Sequence, residues 1–275
     1  MNLLRSPIIS LCTITLAFVS FTSYPSQVRA QFDRPINNFF IQRSQQAKQK
    51  PDFSTVGRPS PTTRTPTTSR GTCPSTNPDL TALIPINNWG QTVAERPTFW
   101  FYVPYDSQQV SSGEFVLQEE VPGEQPKLIY EISFTLPKTP GLVSFKIPST
   151  KPPLEIDKNY SWYFKLYCPP QDEPAADPKL ELPVLVKGSV QRVKPTPELE
   201  SELKAATEPE YKVYTNHLIW YDALDNLTKL RITQPTTTKL TDEWTELLSL
   251  KGVKGDDLDP EKLKQPIAGS VVVQE

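Results

Sequence analysis

Thirty prolines against ten glycines in 275 residues restrict this chain before any other feature is read. Proline has no N–H to give to a helix interior or a central strand, so it collects at turns, sheet edges and linkers. Long helices are therefore disfavoured along most of the sequence, and short extended segments joined by tight connections are what remains. The hydrophobic share of 37% and aromatic share of 10% are those of a chain with a core.

Residues 1–30 read as a cleavable secretory signal. Arg5 supplies the charge, residues 7–21 the apolar stretch, and Val28-Arg29-Ala30 the small residues of a cleavage site. The apolar stretch is shorter than the roughly 18 to 20 residues of a membrane span, and no later segment approaches that length. Cys12 follows Leu11 rather than a small residue, so it is not read as a lipid attachment site. A mature chain from Gln31 would be periplasmic or extracellular and would have room for one core with a small satellite, or two small domains.

Removing the signal leaves Cys73 and Cys168. In an oxidising compartment such an even, distant pair is expected to form a structural bridge; a redox role would want a close Cys-x-x-Cys pair, which is absent. The closed loop of about 95 residues is worth roughly 4 to 5 kcal/mol in the chain-entropy account.

Charge divides the mature chain. Residues 31–72 carry 7 basic and 2 acidic side chains, residues 73–193 carry 10 and 14, and residues 194–275 carry 10 and 15. The first segment contains a Pro/Thr/Ser tract from Arg58 to Arg70 with almost no apolar residues, and it reads as a disordered basic linker. Its arginines could hold an anionic wall polymer, but a soluble spacer is the simpler reading. An acidic body without a basic-aromatic motif argues against nucleic acid.

Residues 73–193 show short β-prone runs at 80–86, 97–104, 113–121, 127–136, 142–147, 159–168 and 183–193, the strand count of an immunoglobulin- or fibronectin-like antiparallel β-sandwich. Tyr130, Ile132, Phe134 and Leu136 alternate with polar residues, as one core-facing side requires. Leu154 and Tyr160, six apart at a strand entrance, match a tyrosine corner. Trp100, Tyr102, Tyr163 and Tyr167 put aromatics on faces that should be polar. They could form a platform that stacks on sugar rings, or a helical tail could cover them, and the tail's need for an apolar partner favours cover.

Residues 194–275 change period. Thr196 before Pro197 reads as an N-cap, and Thr207-Glu-Pro-Glu210 as a capping box. Trp220, Ala223, Leu224 and Leu227, then Leu240, Trp244, Leu247 and Leu248, follow helical spacing. The short joint around Pro235 predicts an antiparallel hairpin resembling part of a tetratricopeptide unit, here expected to dock on the sandwich or on a partner. The run at 271–273 has no evident strand partner.

Catalytic chemistry finds little material. His217 is the only imidazole and has no evident nucleophile, Asp256-Asp257-x-Asp259 lacks the order of a calcium loop, and the triplets at Asn159 and Asn226 are frequent by chance. The expectation is no catalytic residue, no metal, no cofactor and no enzyme activity.

Pro97-Thr-Phe-Trp-Phe-Tyr-Val-Pro104, Glu114-Phe-Val-Leu-Gln118, Pro140-Gly-Leu-Val143, Tyr160-x-Trp-Tyr-Phe164 with Cys168-Pro169, and Ile219-Trp-Tyr-Asp-Ala-Leu224 together resemble a cyanobacterial exported family of unknown function, DUF 928. The resemblance implies an exported protein with a recurring Cys73–Cys168 pair and no assigned catalytic residues. The functional expectation is a non-enzymatic interaction or structural protein of the cell envelope, its partner an envelope protein or wall polysaccharide. The alternative is a carbohydrate- or wall-binding module using the exposed aromatics.

Overall fold

The runs between prolines become strands. The computed structural model describes residues 50–57, 65, 73–169, 182–253 and 267–274. The signal, most of the linker and the acidic cluster at 256–259 lie outside the described residues. The strands are β1 (Thr81–Ala82), β2 (Trp89–Thr92), β3 (Thr98–Val103), β4 (Ser112–Glu119), β5 (Lys127–Thr135), β6 (Gly141–Lys146), β7 (Asn159–Tyr167), β8 (Val184–Arg192), β9 (Ile267–Ser270) and β10 (Val272–Val273). They form a four-stranded sheet in the order β1-β3-β6-β9 and a six-stranded sheet in the order β10-β5-β4-β7-β8-β2. The protein is mainly β, with helices α1 (Pro197–Ala205), α2 (Glu210–Asn216), α3 (Trp220–Thr233) and α4 (Thr238–Leu248) in its C-terminal part.

The two sheets meet through aromatic rings set by the two-residue period of the strands. Phe101 of β3 stacks on Phe164 of β7 at 3.9 Å, and Phe145 of β6 on Phe115 of β4 at 4.0 Å. Trp162 lies 5.6 Å from both Phe99 and Phe101. On β5 and β7 the alternation is plain: Tyr130, Ile132 and Phe134, and Tyr160, Trp162, Phe164 and Leu166, are buried while their neighbours are not. Where β7 begins, the Tyr160 hydroxyl accepts the Glu155 N–H at 3.0 Å over a buried Leu154.

The expected all-antiparallel arrangement needs correction, because β2 runs parallel to β8 and β9 parallel to β6. Both are short edge strands reached by a long stretch of chain, so no hairpin constrains their direction. The α-helical region expected at 194–275 also carries strand. Residues 267–274, beyond the helices, return to both sheets, with β9 on β6 and β10 on β5.

The linker is shorter than its composition suggested. Residues 50–57 contain a 3-10 helix at Phe53–Thr55 capped by Asp52, and Phe53 is fully buried, edge-on to Trp220 at 5.2 Å. One aromatic ring with a place in the core is enough to order a polar segment around it.

Thr196 caps α1 as expected, its Oγ1 accepting the Leu199 N–H at 3.2 Å. The capping box at Thr207 does not form: α2 begins at Glu210 behind Pro209, with no side-chain cap. A residue before proline is kept out of the helical region, so Glu208 cannot be part of the helix. Helices α3 and α4 pack as a hairpin, with the Arg231 guanidinium over the Trp244 ring at 4.5 Å. Helix α3 lies against β2 and β3. Among the described residues no helix is long and apolar enough to cross a membrane.

Candidate functional site

Cys73, ahead of β1, and Cys168, just after β7, form a disulfide with Cα atoms 4.9 Å apart. The bond ties the chain before the first strand to the end of a central strand of the six-stranded sheet, closing a separation of 95 residues.

The four aromatics singled out for a ligand platform do not come together. Trp100 and Tyr102 lie on β3 of the four-stranded sheet and are 4% and 6% exposed. The Trp100 indole N–H donates to Asp225 Oδ1 of α3 at 3.2 Å, so a helix covers this face and uses the ring's one polar group. Tyr163 and Tyr167 lie on β7 of the other sheet, on the side away from the core, and are half-buried. The platform of four is thereby corrected to two separate pairs, because apolar residues on both faces of β3 reflect a strand packed on both sides.

Around Tyr163 and Tyr167 the strand registers build a second kind of surface. Tyr163 stands between Val116 of β4 and Lys187 of β8. In the next outward row Lys165 stands between Glu114 and Leu185 and forms an ion pair with Glu114. Glu131 of β5 adjoins this pair; its shared hydrogen bond with Glu114, then burial, raises its carboxyl above the usual range. Burial likewise raises the Tyr167 hydroxyl, with the Glu114 charge adding to it. Further along the face, Ser161 and Ser189 both donate to Glu120. Four residues of strand separate the two tyrosines by about 13 Å. The result is a wet sheet face with two aromatic rings and a row of charges between them.

A third location was not legible as a site. At the start of α3 the Asp222 carboxylate accepts the Val93 N–H at 3.2 Å and a hydrogen bond from Thr92. Burial pushes its carboxyl up to about 6 against those hydrogen bonds. Asp225, one turn on, accepts from Trp100 and pairs with Lys229 at 2.7 Å. The cleft holding these groups and Tyr214 encloses about 180 Å³. Small-molecule sites begin near about 300 Å³, so this is better understood as the joint that fixes α3 to the sheets. In the sequence both acids look like the solvated side of an amphipathic helix; only their place between Trp220, Leu224 and Thr228 distinguishes them.

His217 ends α2 with Nε2 3.3 Å from Glu202, and Asn226 donates to Glu210 at 2.9 Å. Among the described residues no three His, Cys, Asp or Glu side chains converge in a way that could hold a metal ion.

These features define a class: a disulfide-linked protein of two packed sheets, with helices sealing part of one outer face and the other face left wet. Within it, the chain belongs to the DUF928 family, a domain of unknown function, which it matches over residues 65–263. No curated protein and no solved structure matches it.

Proposed function

We propose that this is an exported, non-enzymatic interaction protein of the cell envelope, and that the outer face of the six-stranded sheet is its contact surface. One observation carries the reading: helix α3 covers Trp100 on one sheet, while Tyr163 and Tyr167 stay half-buried on the outer face of the other, around the Lys165–Glu114 pair. A half-buried aromatic flanked by charges is a usual element of a recognition surface. The signal-like N-terminus and the disulfide favour an oxidising compartment. In this reading the two-sheet body is an immunoglobulin- or fibronectin-like sandwich, supported by the Tyr160 hydroxyl at Glu155. The α3–α4 pair is a tetratricopeptide-like hairpin used as a structural cover rather than as a repeat.

A second reading is carbohydrate binding, now carried by Tyr163 and Tyr167 alone. The test applies mild crosslinking in the envelope and co-sedimentation with isolated wall polysaccharide to the wild type and to Tyr163→Ala plus Tyr167→Ala. Loss of a crosslinked protein partner in the variant supports the main reading, and loss of sedimentation supports the second. If the variant behaves as wild type in both assays, the sheet face is not the contact surface.

A further inference from the structure

The C-terminal segment closes only part of the seam between the two sheets. Val271 N–H donates to Ser144 O on β6 at 2.9 Å, and three residues later Gln274 N–H donates to Ser133 O on β5 at 2.9 Å. Past Ser133, β5 continues through Ile132 and Glu131 to Lys127 with no strand on that edge among the described residues. Past Ser144, β6 likewise continues to Lys146 without β9. Peptide groups point alternately to the two sides of a strand, so Glu131, two residues from Ser133, turns its N–H and C=O toward the same open side. Lys146 stands in the same relation to Ser144. An edge left in this state is a template for another strand.

The gap between these edges is a groove of about 1160 Å³, with Ile132 and Ser133 on one bank, residues 146–151 on the other, and Gln274 on its wall. That exceeds the roughly 300 to 1,000 Å³ of small-molecule pockets and suits an extended segment. Its lining is mainly basic: Arg96, Lys146 and Lys151 against Glu131, with Arg96 itself paired to Glu95 at 3.6 Å. Arg96 shapes the bank, its Nη2 donating to Ser149 O at 3.4 Å and Lys151 O at 3.1 Å. The Glu131 carboxyl is hydrogen-bonded to Glu114. Neither Lys146 nor Lys151 takes part in an ion pair among the described residues, and both line the groove; Lys146 also borders the cleft of Asp222 and Asp225.

We infer that this groove takes an extended acidic segment of a partner protein, added antiparallel to β5 along the line of β10, with its carboxylates toward Lys146 and Lys151. Main-chain hydrogen bonds to the β5 edge would supply affinity and the lysines would select for acid, the division of labour of strand addition. The inference shares Glu131 with the wet sheet face but does not involve Tyr163 or Tyr167, so the two readings can fail separately.

Fluorescence anisotropy with the whole protein and a labelled peptide of alternating valine and glutamate tests it. Saturable binding is expected, with none by the valine-lysine peptide. Methylating every second amide of the glutamate peptide, or substituting Lys146→Glu plus Lys151→Glu, should each weaken binding about tenfold or more. Amide exchange at Glu131 should slow on adding the peptide to the wild type, a readout independent of how the variant folds. Absence of saturable binding, equal binding of the methylated or lysine peptide, or unchanged exchange at Glu131 would overturn the inference. So would concentration-dependent self-association abolished by the same two substitutions, which would assign the groove to a second copy of this chain.

Discussion

The hydroxyl of Tyr221 accepts the indole N–H of Trp162 at 2.9 Å and donates to the backbone carbonyl of Ser189 at 3.0 Å. A residue of α3 thus satisfies the one polar group of the ring at the centre of the six-stranded sheet. Both partners sit where water does not reach, Trp162 being 1% exposed and Tyr221 2%. Tyr221→Phe keeps the packing and strands the Trp162 N–H. A loss of about 1 to 3 kcal/mol in denaturant unfolding is expected. Trp162→Phe with Tyr221→Phe should cost less than the sum of the single changes, because the second substitution removes the orphaned donor.

The two aromatic pairs should respond differently to truncation. Trp100→Ala opens a cavity under α3 and leaves Asp225 without one of its donors, so a loss of about 3 to 5 kcal/mol is expected. Tyr163→Ala and Tyr167→Ala remove half-buried rings from a wet face and should each cost about 1 kcal/mol or less. Thermal unfolding of the three single variants checks this ordering. Equal losses would mean that the outer face of β7 is as tightly packed as that of β3.

Asp222 gives the fold a pH dependence of definite sign. Its folded carboxyl titrates at about 6 against an ordinary value of 3.8, so the folded state holds the proton more tightly than the unfolded one. Its contribution is fully present below about 3.8 and is lost as pH rises through about 6. The cost of the buried charge at neutral pH is on the order of 3 kcal/mol. Asp222→Asn keeps an acceptor for the Val93 N–H and discards the charge. The variant should be more stable than wild type by about 1 to 3 kcal/mol at pH 7, with the gain shrinking toward zero by about pH 4. Urea unfolding at a series of pH values reads the difference directly.

The disulfide acts on the unfolded chain. Cys73→Ser with Cys168→Ser releases a loop of 95 residues and should lower stability by up to about 4 to 5 kcal/mol. Reducing the wild type should lower its melting temperature toward that of the double variant and leave the variant's own unchanged.

How much of this was legible follows from the range of each signal. Alternation is local, so the runs that became β1 and β3 to β8 were visible, as was the Thr196 cap, which depends on three residues. Strand β2 has only four residues, one of them Gly90, and pairs in parallel with a strand about a hundred positions away. No local pattern carries that information. The run at 271–273 was visible as β-prone, but its division between β6 and β5 depends on edges formed elsewhere in the chain. Trp100 and Tyr102 were recognisable as aromatics on the wrong face, and it took the position of Asp225 to show what covers Trp100. Phe53 was hidden by the company it keeps: one buried ring among polar and proline-rich neighbours does not change the composition of the segment.

That segment gives the last prediction. Residues 50–57 are held to the chain after α4 by Phe53 N–H to Lys251 O at 2.9 Å and by the Asp52–Lys251 ion pair at 2.7 Å, and to α3 by the burial of Phe53 against Trp220. Gly252 permits the approach: its φ is +78°, and a Cβ there would come within 2.0 Å of the Ser54 nitrogen. Phe53→Ala should cost about 3 to 5 kcal/mol. Gly252→Ala should also destabilise, because backbone rather than a flexible side chain stands in the way. A chain starting at Gly71 should lose at least as much as Phe53→Ala, whereas one starting at Lys50 keeps every contact named here. If the chain from Gly71 melts with the chain from Lys50, the segment is a tether after all and its contacts add nothing to the fold.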